Sequence, residues 1–320
     1  MAAWVGTGWM RRYALRTSLV DMPDARRVHT RPTPRGGGAA IVMVTLAGVA
    51  LAGVLLQLPA SVVHALLIGG GAVALVGWID DRRGLPAPVR AVVHLAAAAL
   101  SLTVADVGLA PVALALAALG VVWSTNLYNF MDGIDGLAGI EAVSVGILAG
   151  LMLIIMGRAD LALVPLVTAA ASAGFLAWNW PPARVFMGDV GSGFLGFVFG
   201  TMAVVSDRWG AVPATTWLML LGVFVFDATV TLVRRVARGE RWYQAHRSHA
   251  YQRLVRIGVS PAKVVAAVLL LNGGAAGLAW IALIDRRLQW ACVLAELVAL
   301  SMVYLAIERR APMAAGEPPS

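Results

Sequence analysis

Residues 137–156 read LAGIEAVSVGILAGLMLIIM, twenty residues with a single charge. An α-helix rising 1.5 Å per residue needs about that length to cross a bilayer core of about 30 Å. The run lacks the alternating polarity of a barrel strand, so a helix is the sensible span. Nine similar runs occupy the chain, at about 37–57, 62–79, 88–105, 111–128, 162–180, 191–206, 213–233, 261–284 and 288–307. The expected fold is all-α: a polytopic transmembrane helical bundle of about ten spans.

Composition agrees. The chain is 60% hydrophobic and 13% charged, where a soluble domain carries about 25% charged residues. The even spread of apolar runs points to one integral-membrane domain over 1–310, with 311–320 a disordered Pro/Ala tail. The lone Cys292 lies in an apolar run, which rules out a disulfide framework and a cysteine metal site. Residues 1–10 are mildly apolar but precede the arginines, the reverse of a signal peptide.

Charge sets the orientation. If the segment before Gly36 is cytoplasmic, the cytoplasmic segments hold 21 of the 25 Lys and Arg residues, leaving Arg158, Arg208, Arg286 and Arg287 outside. That asymmetry is the positive-inside pattern. It explains the net charge of +8 without nucleic acid. The same orientation puts every polar motif on the cytoplasmic face. The far-side connections are short and plain.

Asp80 and Asp81 end the second run. Adjacent carboxylates at a membrane boundary repel one another and resist desolvation, which a cation relieves. A solvated loop start paired with Arg82 and Arg83 is the plainer reading. The stretch Asn126-Leu-Tyr-Asn129-Phe-Met-Asp132-Gly-Ile-Asp135-Gly is more specific. If helical, Asn129, Asp132 and Asp135 share a stripe suited to a hard cation or a sugar-nucleotide. A plain Asn/Asp/Gly turn is the alternative. Met187-Gly-Asp189-Val-Gly-Ser-Gly193 opens a span. Its glycine-loosened helix N-terminus would favour phosphate, and Asp189 beside phosphate calls for a bridging divalent cation; a simple Asp N-cap competes with that reading.

His246-Arg247-Ser248-His249 sits in the most basic loop, with Arg241 and Arg253. It reads as a pyrophosphate clamp, or as a positive-inside loop with incidental histidines. His29 to Gly38, HTRPTPRGGG, makes a preset turn whose Arg35 could meet an anion or anchor the interface. His64 and His94 lie within spans, as packing or interhelical hydrogen bonds. Asp227 and Arg234 are two turns apart on one face, as an ion pair or a wall of the site.

Five segments together, VDMPDARRVHTRPTPRGGG, GWIDDRRGLPAPVR, NLYNFMDGIDGLAG, RVFMGDVGSGFLG and RWYQAHRSHAYQRL, resemble the polyprenyl-phosphate N-acetylhexosamine-1-phosphate transferases, in the family's order over residues 20–253. The resemblance implies transfer of HexNAc-1-phosphate from a UDP-N-acetylhexosamine to undecaprenyl or another polyprenyl phosphate, with release of UMP, in the bacterial inner membrane. It implies Asp80, Asp81, Asp132 and Asp135 as catalytic residues. Asn126, Asn129, Arg35, Arg90, His246, Arg247 and His249 would bind substrate. Asp189 and Asn129 would hold Mg²⁺, with Mn²⁺ an alternative. Arg90 stands where a relative often has Lys. The His-Xaa-Xaa-His form of the last motif is similar to the branch serving O-antigen or capsule synthesis. A homodimer is compatible with this reading.

The resemblance departs at the start. Relatives begin with a full span, eleven in all, whereas here about ten residues precede Arg11. Two rivals stand beside it. A proton- or cation-coupled transporter would need carboxylates near the midplane and broken helices. A membrane phosphatase would act on lipid pyrophosphates with no UDP-sugar.

Overall fold

The computed structural model describes residues 1–22, 32–240 and 246–313. His29, Arg31, Arg241 and the tail beyond Met313 lie outside them. Each apolar run is helical. In chain order the helices are α1 (Ala2–Arg16), α2 (Ala39–Leu55), α3 (Ala60–Arg83), α4 (Ala87–Val104), α5 (Pro111–Phe130), α6 (Leu137–Ile155), α7 (Ala159–Asn179), α8 (Asp189–Arg208), α9 (Ala214–Leu220), α10 (Gly222–Ala237), α11 (Ala250–Arg256), α12 (Pro261–Ile284) and α13 (Gln289–Arg310). A two-residue hairpin pairs β1 (Val20–Asp21) antiparallel with β2 (Thr33–Pro34).

Eight of these helices are individually long and apolar enough to cross a membrane, among the described residues. The chain is a multi-pass membrane bundle. Two of the ten expected spans differ in detail. α2 has 17 residues, short for a span standing alone. The run at 213–233 is not a rod: α9 and α10 meet at 82° around Leu221. So a broken helix exists where the sequence suggested none.

α1 also exceeds expectation. It continues through Arg11 and Arg12 to Arg16, 15 residues in all, or about 22 Å. It packs on α2 and α7, and the Trp178 indole N–H donates to the Trp4 carbonyl at 3.0 Å.

α8 is the axial helix, the most buried of these eight spans, whereas the span that ends at Arg310 is the least buried. Small residues make this possible. A Cβ at Gly196 would strike the Ser124 carbonyl, so only glycine lets α5 lie this close, and the Ser124 hydroxyl then donates to the Gly196 carbonyl at 2.8 Å. α3 carries a π-turn at Leu66–Gly70. Such a turn loosens the carbonyl ladder, and the Ser101 hydroxyl of α4 donates to the Ala65 carbonyl at 2.8 Å.

Two carboxylates inside the apolar runs escape a reading by motif. Glu141 of α6 is fully buried and accepts from the Asn272 amide of α12 at 2.6 Å. Glu296 of α13 is buried against Gly222, at the start of α10. His64 is exposed on α3 and has no interhelical hydrogen bond among the described residues. His94 and Cys292 are buried.

Candidate active site

The polar motifs converge at one end of the bundle, where α3, α4, α5 and α8 meet the turn before α2. α8 begins at Asp189, after Gly188 at φ +78°. That conformation favours glycine, and a Cβ there would meet the Asp81 carboxylate. Asp81 accepts the backbone N–H groups of Asp189 at 2.9 Å and Val190 at 3.1 Å. The next two, of Gly191 and Ser192, donate to the Gly188 carbonyl. All four N–H groups that open this helix are therefore engaged, and the expected phosphate seat at its N-terminus is closed. A distant carboxylate has taken the place of the anion.

From Asp81 an alternating chain of charges runs outward. Arg35 Nε lies 2.8 Å from Asp81, and Arg35 Nη2 lies 2.5 Å from Asp189. Arg90 Nη1 lies 3.0 Å from the other oxygen of Asp189 and 2.5 Å from Asp80. Asp80 also accepts the Leu85 N–H. The order is thus Asp81, Arg35, Asp189, Arg90, Asp80. The partners of the acidic pair are Arg35 and Arg90; Arg82 instead lies over the rings of Tyr13 and Trp78. Burial opposes the charge on Arg35, but Asp81, Asp189 and Asp132 outweigh it and raise its pKa.

This chain borders a cavity of about 320 Å³ lined by Arg35, Asn129, Asp132, Asp135, Asp189 and Arg247, with Asn179, Phe186 and Gln252. Asp80 and Asp81 are not among its lining residues. Nor do Asp132 and Asp135 share a helical stripe with Asn129. α5 ends at Phe130, and the glycine-rich segment 131–136 turns instead, its Gly133 lying against the Tyr251 hydroxyl. The turn sends the two acids to different tasks. Asp135 accepts the Ala183 N–H at 2.8 Å. The Asp132 carboxylate has no hydrogen bond or ion pair among the described residues. Burial, then the charges of Asp189, Asp81 and Asp135, push its pKa well above the usual range, with Arg35 opposing.

The other expected residues fall as follows. Asn129 donates to the Ser192 hydroxyl at 3.0 Å and lines both the main cavity and a smaller one of about 30 Å³. Asn126 lines only the smaller one and donates to the Val122 carbonyl. Of His246, Arg247 and His249, only Arg247 lines the main cavity. His249 is buried against the rings of Phe130 and Tyr251, with Nδ1 at 3.6 Å from Asp227. Burial, then His249 and Arg235, lowers the His246 pKa to about 3, so it is a neutral group near pH 7. Asp227 does not pair with Arg234. It accepts the N–H groups of Ala250 at 2.9 Å and Tyr251 at 3.3 Å, while Arg234 is bidentate to Glu308.

Asn179 was legible only as a lone amide in the last turn of an apolar run. It accepts the Gly136 N–H and donates to the Val185 carbonyl, both at 2.9 Å, joining the 131–136 turn to the segment before α8.

The donor set suits a hard divalent cation. With Asp132 ionised, the four acids Asp80, Asp81, Asp132 and Asp189 face two guanidiniums, leaving two negative charges. No closed cage of three or more His, Cys, Asp or Glu forms among the described residues. Mg²⁺ needs none, because it commonly takes one or two carboxylates and completes its shell with phosphate oxygens and water.

Residues 63–207 match the profile of glycosyl transferase family 4. The chain is 30% identical over 359 aligned positions to the decaprenyl-phosphate N-acetylglucosaminephosphotransferase of Mycolicibacterium smegmatis, covering 98% of this chain and 88% of that one. The chain belongs to glycosyl transferase family 4. Another similar member, a probable undecaprenyl-phosphate N-acetylglucosaminyl 1-phosphate transferase of Bacillus subtilis, is 29% identical over 82% of this chain and 77% of its own length. The Yersinia pestis undecaprenyl-phosphate alpha-N-acetylglucosaminyl 1-phosphate transferase is 28% identical over 92% and 84%. The family match includes Asp80, Asp81, Arg90, Asn129, Asp132 and Asp189, while Arg35 and Arg247 lie outside its limits.

Proposed function

We propose that this protein transfers a HexNAc-1-phosphate from a UDP-N-acetylhexosamine to a polyprenyl phosphate such as undecaprenyl phosphate, releasing UMP, at the cytoplasmic face of a bacterial inner membrane. The observation that carries the reading is Asp132, a carboxylate with no hydrogen bond or ion pair among the described residues, facing a cavity that Arg35, Arg247 and Asp189 also line. Such a wall suits a pyrophosphate bound together with a divalent cation.

In this reading Arg35 and Arg247 receive the pyrophosphate of the donor, and Arg90 the phosphate of the lipid. Asp132, Asp189 and Asn129 would hold Mg²⁺, which when bound polarises the phosphoryl oxygens as a Lewis acid. A lipid phosphate oxygen attacks the sugar-proximal phosphorus. The bond from that phosphorus to the UMP oxygen breaks, and UMP leaves with the electron pair. The arginines spread the developing charge. A phosphate with a second pKa near 6 is already a dianion at neutral pH, so no protein base is required. Asp80 and Asp81 then act by holding Arg90 and Arg35.

The activities for which the relatives are named support the same reaction class. The broken helix at Leu221 and the buried acids Glu141 and Glu296 recover part of the transporter argument, but neither acid lines either cavity.

The test is UMP release by purified protein from a panel of UDP-HexNAc donors with undecaprenyl phosphate and Mg²⁺, with Asp189→Asn in parallel. Lipid-dependent UMP, abolished by EDTA and by the substitution, is expected. Substrate accumulation in proteoliposomes without UMP would replace the transferase with a transporter. Phosphate release from a lipid pyrophosphate with no UDP-sugar would replace it with a phosphatase.

A further inference from the structure

Behind the wall formed by Asp189 and Asn129 lies the smaller chamber, between α4, α5 and α8. Its polar lining is Arg90, His94, Thr125, Asn126, Asn129 and Asp189. His94 sits one helical turn beyond Arg90, on the same face of α4. It is 8% exposed, and its Nδ1 has no hydrogen-bond partner among the described residues. A buried polar nitrogen without a partner is costly, and buried polar groups are almost always satisfied.

The chamber has the means to satisfy it. A water needs about 10–15 Å³ of such volume and two to four polar partners; about 30 Å³ is present. The Asn126 amide nitrogen donates to the Val122 carbonyl, which leaves its side-chain oxygen available. Asp189 offers a carboxylate already held from other directions by Arg35 and Arg90.

We propose that this chamber holds an ordered water joining His94 Nδ1 to Asp189 and Asn126, and that His94 is thereby a positioning residue for the carboxylate that takes the cation. The proposal rests on the transferase reading of the main cavity. Arg35 and Arg90 fix the carboxylate where it meets them. The water fixes it from the remaining side, so that Asp189 keeps one orientation when a cation draws charge away from the arginines. Neighbours of this kind tune metal affinity strongly, by about 10–100-fold on removal.

The test uses full-length protein in detergent, followed by tryptophan fluorescence on heating while Mg²⁺ or Mn²⁺ is titrated. UMP release is measured on the same samples. His94→Leu is expected to raise the cation concentration for half-maximal thermal shift by about tenfold or more, while His94→Gln, which keeps a polar reach, stays within about threefold. Gly193→Ala probes the chamber from its opposite wall. A Cβ there meets only Val73 at 3.6 Å and Thr125 at 3.8 Å, ordinary contacts that folding tolerates, yet it removes space beside the water. It should raise the cation requirement in the same direction, and it serves if His94→Leu does not fold.

If the cation stabilises wild type, His94→Leu and Gly193→Ala alike, the proposal is overturned while the transferase reading stands. If the cation neither stabilises wild type nor supports UMP release, the transferase reading falls and this one with it.

Discussion

The Asp81 carboxylate accepts the backbone N–H of Asp189 at 2.9 Å, across 108 residues of sequence. A residue expected to react with substrate also serves as a helix cap delivered from another helix. Its second oxygen receives Val190, and its charge fixes Arg35.

Asp81→Asn removes that charge while keeping an acceptor. Hydrogen bonds to a charged group are each worth about 1.5–3 kcal/mol, so a loss of about that size is expected in unfolding experiments, with UMP release reduced about 100-fold or more. Incubation with donor alone should leave no acid-stable phosphosugar on Asp80 or Asp81. A mass-spectrometric adduct on either would replace the single displacement with a covalent route.

Asp132→Asn should trade activity for stability. The native pKa lies above the unfolded value, so the native state binds the proton more tightly. The stability this contributes is complete below the unfolded pKa of about 4 and is lost as pH rises through the native pKa. Without divalent cation, Tm of wild type should therefore decline as pH rises above about 4, and the Asn variant should not follow it. Added Mg²⁺ should raise Tm of wild type and leave the variant nearly unmoved.

His246 carries the opposite sign. Its pKa falls to about 3 in the fold, against about 6.5 when unfolded. The native state binds fewer protons, so this part of the stability is present above about pH 6.5 and is lost as pH falls toward 3. His246→Gln should shrink the fall in Tm on acidification. The pH profile of UMP release between 6 and 8 should keep its shape. A change of shape there would mean that His246 titrates during turnover.

Glu308 ties three segments together. It accepts from Arg234 of α10, from Arg253 of α11 at 2.6 Å and from the Met313 N–H. Both arginines also lie over the Tyr304 ring. Glu308→Gln should lower stability by about 1–3 kcal/mol, and Glu308→Asp should recover part of it. Limited proteolysis should then cut more readily around 246–256, the segment that carries Arg247.

The helices were legible because a lipid-facing run writes its length and polarity locally, as residues 137–156 do. Arg35, Asp189, Asn129 and Arg247 were legible because polar groups concentrated at span ends stand out from apolar neighbours. The closed end of α8 was not, because its blocking acid comes from α3. The Asp132 turn was misread for a related reason: three-residue spacing imitates a helix, and only Tyr251, from a segment far along the chain, shows why the backbone departs there. Glu141 and Asn272 each look like an isolated blemish in an apolar run. They make sense only as a pair.

The alternating chain of Asp81, Arg35, Asp189, Arg90 and Asp80 also orders events during synthesis. Arg35 emerges from the ribosome 154 residues ahead of Asp189. Without Asp189, the two acids of α3 and the two arginines carry equal numbers of each sign. Asp189 enters as the one unbalanced charge. In the proposed transferase the set that would hold the cation, Asn129, Asp132 and Asp189, is therefore completed only with the arrival of the axial helix.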